Sequence, residues 1–104
     1  MHRLVLAAAI LLPSASTAVE NLVVASELAT IIGSEHGCDI SINTAALAAY
    51  IDERASENDM QFASALNLLV AGTGEEVRTM SAANLAAHCH QVGRSAKAAG
   101  LLSE

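Results

Sequence analysis

The chain has no tryptophan, and Tyr50 and Phe62 are its whole aromatic complement. A β-sandwich core draws on aromatic and β-branched residues, so this scarcity turns the reading away from sheets. Proline occurs once, at Pro13, so nearly all of the chain is free of a residue that breaks helices. Basic residues are few: Lys and Arg number 5 against 11 Asp and Glu. That balance speaks against nucleic-acid binding through a positive surface. What fills the chain instead is Ala, Leu, Val and Ile, within a hydrophobic fraction of 53%. Ala and Leu are strong helix formers, and 104 residues make one small domain. An all-α fold follows as the expectation.

The first residues follow the order of a secretory signal peptide. Met1-His2-Arg3 is short and positive, Leu4 to Leu12 is uninterrupted and apolar, and Pro13 to Ala18 is a break followed by small residues. Ser16 and Ala18 fit the −3 and −1 places of a cleavage site, with Val19 beginning the mature chain. The apolar run falls short of the roughly 20 residues that span a bilayer. Leu22 to Ile32 is also apolar, but Glu27 interrupts it. No stable membrane anchor is therefore expected after cleavage, and the expected location is periplasmic or secreted. The domain reading is 1–18 signal peptide and 19–104 a single small helical domain. The mature part keeps four basic residues, Arg54, Arg78, Arg94 and Lys97, against eleven carboxylates, for a formal charge of −7.

Both cysteines, Cys38 and Cys89, fall in the mature part. In an oxidising compartment an even count in a short chain predicts a disulfide. Its loop of about 50 residues gives a chain-entropy stabilisation of roughly 4 kcal/mol, a large share for so small a core. The alternatives are a reactive pair, a metal site or an intermolecular bridge. No C-x-x-C is present for thioredoxin-type redox chemistry, and no C-x-x-C-H for covalent haem.

Apolar spacing predicts four helices in the mature chain. The first runs from Val19 to Ile32 with Val24, Ala25, Leu28, Ile31 and Ile32 inward and Gly33 as its stop. The second, Ala45 to Ala55, is capped by Asn43 or Thr44 and buries Leu47, Ala48, Ile51 and Ala55. The polar stretch Ser56 to Asp59 leads to a third, Asp59 to Ala71, with Phe62, Leu66, Leu69 and Val70 inward. Gly72-Thr73-Gly74 ends or kinks it, and Glu75 to Met80 makes a further short turn. Ser81 caps the last, Ala82 to Ala99, whose inner positions are Ala82, Leu85, Cys89, Val92 and Ala96. Gly100 then stops the helix and Leu101 packs back on it.

His36, His88 and His90 lie near the two cysteines in sequence and are the candidates for a metal site. Helix geometry opposes them as a set, because residues 88 and 90 stand about 200° apart around the axis. Imidazoles beside a bridge are the plainer reading. No G-x-S-x-G elbow is present, and Gly72-Thr73-Gly74 lacks the Lys-Ser/Thr of a phosphate loop. The pairs Asp52-Glu53 and Glu75-Glu76 read as solvated faces. Catalysis is not expected, no cofactor is implied, and a protein partner of unspecified identity is the natural counterpart.

Cys38, Phe62, the segment Ala87-His88-Cys89, Ala96 and Gly100-Leu101 together resemble a group of small exported helical proteins of alphaproteobacteria without an assigned role. The likeness covers about Cys38 to Leu102. Some members carry the label "signal recognition particle", which would call for a Met-rich groove or a basic surface; three methionines and a mature charge of −7 supply neither. In architecture the chain is also similar to the Hde-type periplasmic acid-stress chaperones, which keep one disulfide while acid loosens the fold. That likeness implies stress response through client holding, and it carries over no residue beyond the cysteines. Below about pH 4 the carboxylates protonate while four basic residues and three histidines stay positive. The charge then swings from −7 toward +7, and self-repulsion loosens a small core.

Overall fold

The computed structural model describes residues 13–55 and 60–103, with side chains from Glu20 onward. It is all-α: α1 Pro13–Ser34, α2 Thr44–Arg54, α3 Met60–Arg78 and α4 Ala82–Ala98. Helices α3 and α4 both pack on α1, which is the central element. None of the described helices is long and apolar enough to cross a membrane.

Helix α1 buries Val24, Ala25, Leu28, Ala29 and Ile31, the stripe expected from spacing together with Ala29; Ile32 is half-buried. Pro13, expected as a break, is helical instead. The apolar run Leu4 to Leu12, expected as part of a signal peptide, lies outside the described residues.

Gly33 does not end α1. The helix runs through it to Ser34, and turns carry the chain on to Asp39. Asp39 holds the left-handed position, φ 56°, which Asp tolerates better than most residues. Around it the Asp39 N–H reaches the His36 carbonyl at 3.3 Å and the Ile40 N–H the Glu35 carbonyl at 3.1 Å. This is the double closure of a Schellman stop. Gly33 has a different task. A Cβ there would stand 2.6 Å from the Thr73 Cβ and 2.9 Å from the Val70 carbonyl oxygen. The absence of a side chain lets α1 and α3 cross backbone to backbone.

The same contact explains why Gly72-Thr73-Gly74 neither ends nor replaces a helix. Helix α3 runs straight through it to Arg78. Thr73 is the residue that fills the space over Gly33, and a Cβ on Gly74 would sit 3.8 Å from the Gly33 carbonyl oxygen. Tertiary packing overrides the weak helix propensity of glycine here. Val77 continues the contact against Gly37 and is buried. The expected start of α3 at Asp59, with the polar stretch before it, lies outside the described residues. Phe62 is buried, and Leu66, Leu69 and Val70 are half-buried.

Helix α2 is the least embedded. Asn43 caps it, accepting from the Ala46 N–H at 2.9 Å, and Leu47, Ile51 and Ala55 are half-buried, but no residue of the helix is fully buried. Ala48, expected inside, is exposed; Ala46 and Tyr50 take part in its place. In α4 the Ser81 cap and the burial of Val92 and Ala96 are as expected, with Leu85 and Cys89 half-buried. Ala82 is exposed, because the first turn of α4 extends past the core. Gly100, φ 73°, and Leu101 form a second Schellman stop. The Gly100 N–H reaches the Lys97 carbonyl and the Leu101 N–H the Ala96 carbonyl, each at 3.0 Å, and Leu101 is 1% exposed. The tail then pairs with the α1–α2 loop through an antiparallel bridge between Ile42 and Leu102.

Candidate functional site

Two ties hold the end of α1 and its following turn to α4, from Ser34 and Cys38, four residues apart, to the adjacent His88 and Cys89. Cys38 and Cys89 form a disulfide with 5.3 Å between Cα atoms. One turn earlier, Ser34 is wholly buried and its hydroxyl lies 2.8 Å from His88 Nε2. The Ser34 hydroxyl has one hydrogen, and it is donated to the Thr30 carbonyl at 2.6 Å. Toward His88 the oxygen is therefore an acceptor, and Nε2 carries the hydrogen. This direction matters chemically. A serine activated as a nucleophile gives its proton to the imidazole; Ser34 is sealed from solvent and gives its proton to the backbone. The pair is a positioning contact that fixes the His88 ring.

The three histidines do not form a set. His88 borders a pocket between α1, α2 and α4, whereas His36 borders a separate cleft beside the α1–α3 crossing, with Gly33, Gly74 and Arg78. His36 and His90 are exposed. Among the described residues no group of three or more His, Cys, Asp or Glu is placed to hold a metal ion.

The pocket that His88 borders has a volume of about 540 Å³. Each helix presents one face to it at helical spacing. Helix α1 gives Glu27, Thr30 and Ile31; α2 gives Tyr50 and Arg54; α4 gives His88, Gln91, Val92, Ser95 and Ala98, and Ala99 follows at its end. Ile31, Val92 and the two alanines make apolar walls. Arg54 and Glu27 bring one charge of each sign. The Arg54 guanidinium lies over the Tyr50 ring, 4.6 Å from its centroid, and Nη1 donates to the Tyr50 hydroxyl at 3.3 Å. Among the described residues the one ion pair is Arg78–Glu75 on the outer surface of α3, so Arg54 is held by an aromatic ring rather than by a carboxylate.

Of these residues sequence reasoning singled out only His88 for chemistry. The others were legible as the spacing Glu27/Thr30/Ile31 and the i, i+4 pair Tyr50/Arg54, but that spacing alone does not say which face stays open. The opening lies where α2, which has no fully buried residue, meets α1 and α4. Comparison with protein-family models, with curated proteins and with solved structures finds no match. The geometry of the pocket and its two ties carries the functional reading.

Proposed function

We propose that this is an exported, disulfide-stapled, non-catalytic binding protein that holds its ligand in the pocket between α1, α2 and α4. The observation that carries the reading is that pocket: a mostly apolar hollow of about 540 Å³ with a few polar groups at its rim, which is the build of a small-ligand site. The signal-peptide order of residues 1–18 and the oxidised Cys38–Cys89 pair support work outside the cytosol. The test is native mass spectrometry of protein recovered from the exported fraction. A chain beginning at Val19, two mass units below its reduced form and carrying a small-molecule adduct, supports the reading. The adduct should vanish in Ala98→Trp, a change at an exposed position that fills the pocket. A bare mass in the wild type, or an adduct indifferent to Ala98→Trp, overturns it.

A second reading, an acid-activated chaperone, has its own observation in α2. This helix has no fully buried residue, and the loop before it is secured by a carboxylate, Glu35, which accepts from the Ile42 N–H at 2.9 Å. Acid that protonates carboxylates weakens such a charge-assisted bond, and Leu22, Val23, Met60 and Leu68 already stand exposed. Circular dichroism from pH 7 to pH 2 with an apolar-surface dye separates the readings. Lost tertiary signal and dye uptake in the oxidised protein favour the chaperone; a rigid, dye-negative fold throughout removes it.

A further inference from the structure

Resting on the binding reading above, the geometry points to a specific ligand class: we infer that the pocket takes a short apolar peptide with free termini, its carboxylate on Arg54 and its ammonium on Glu27. The argument begins with charge. The rim carries Arg54 from α2 and Glu27 from α1. A simple anion would meet the like charge of Glu27 at the rim, and a simple cation that of Arg54. A zwitterion pairs both. Arg54 suits a carboxylate because its guanidinium is already ordered on the Tyr50 ring and spends one donor on the phenol. The remaining donors keep the planar fork that a carboxylate occupies bidentately, and less side-chain entropy is lost on binding a fixed group.

The body of the ligand follows from the walls. Ile31 and Val92, with the small Ala98 and Ala99, offer apolar surface and room for side chains. A volume of about 540 Å³ lies inside the range of roughly 300–1,000 Å³ typical of small-ligand sites. Thr30 Oγ1 bonds to the Ser26 carbonyl at 3.1 Å and His88 is held by Ser34, so these two polar walls are fixed before any ligand arrives.

The test is a titration of the oxidised protein with leucyl-leucine, followed by amide resonances and calorimetry. Saturable shifts at Thr30, Gln91 and Ser95 are expected. Arg54→Gln and Glu27→Gln should each weaken binding about ten-fold, the scale of one lost charge-assisted contact. N-acetyl-leucyl-leucine should bind the wild type about ten-fold more weakly, and Glu27→Gln should weaken it no further. Ala98→Trp should abolish the response while the rest of the spectrum stays in place. Leucyl-leucine binding that ignores acetylation, or that survives Arg54→Gln unchanged, overturns the assignment. Decanoate and decylamine separate the two levels of the argument. If either shifts these amides and leucyl-leucine does not, the ligand class is wrong and the binding reading stands. If none of the three shifts them, both fall.

Discussion

On its α3 flank α1 packs through bare backbone, and on its α2 and α4 flank it packs through spaced side chains that leave a hollow. The first contact is so close that a methyl group on Gly33 would overlap both a side chain and a carbonyl of α3. The second leaves a pocket of about 540 Å³ beside Ile31 and Val92. The difference lies in what ties each side. At the α3 flank small residues remove the obstacle to close approach, and dispersion between closely packed atoms holds the helices together. At the other flank the Cys38–Cys89 bridge and the Ser34–His88 bond fix α4 at one end, while α2 has no fully buried residue of its own. Close packing defines one flank, and two cross-links define the other.

The largest effect should come from removing the cross-link. Replacing both cysteines with serine opens a loop with a sequence separation of 51, and the chain-entropy model gives a loss of roughly 4 kcal/mol. Urea unfolding of the double variant should show a far lower midpoint. Hydrogen exchange should speed up first at α4 and in the turn from Glu35 to Asp39, and least at the α1–α3 crossing. Uniform acceleration would mean that the two flanks do not behave as separate halves.

The next effect sits on the closed flank. Gly33→Ala gains about 1 kcal/mol of helix propensity, yet its methyl would lie 2.9 Å from the Val70 carbonyl oxygen, which is backbone and cannot rotate aside. Overpacking of this kind costs about 1–3 kcal/mol, so the net result should be a lower unfolding midpoint. A neutral or stabilising Gly33→Ala would show that the crossing has slack. Ser34→Ala should follow at about 1 kcal/mol, because it strips an acceptor from a half-buried imidazole that water can in part reach. Its readout is the His88 ring. The nitrogen-15 shifts should lose the signature of a single hydrogen-bonded Nε2–H form, while the disulfide remains.

Much of this arrangement was legible because helices announce themselves by period and by caps. The buried stripe of α1, the caps Asn43 and Ser81, and the Gly100-Leu101 stop all depend on residues within a turn or two of one another. The pairing of Cys38 with Cys89 is legible on a different ground, since two cysteines admit one internal bridge. Glycine misleads for the opposite reason. Gly33 and the Gly72-Thr73-Gly74 segment look like stops when each is judged by its neighbours in sequence; their meaning is that they face each other across two helices. The pocket escaped notice likewise. Glu27, Tyr50 and Arg54 each look like ordinary positions on a half-exposed helix, and only the meeting of α1, α2 and α4 turns them into a rim.

The smallest expected effect is the sharpest control on that lesson. Gly93 lies inside α4, and a Cβ there would meet nothing within 4 Å. If close packing is what Gly33 supplies, then a helical glycine without neighbours contributes only its backbone entropy, and Gly93→Ala should stabilise by about 0.8–1 kcal/mol. In a domain of this size that corresponds to a rise in melting temperature of several degrees. Gly72 offers a second instance, inside α3 and equally open, one residue before the Thr73 that fills the crossing. Gly72→Ala should stabilise as Gly93→Ala does, while Gly33→Ala destabilises. Three glycine-to-alanine changes in three helices thus carry opposite signs for one reason, the space beside the Cα. If all three moved the same way, local propensity would govern the chain and the tight flank would owe nothing to the missing side chain.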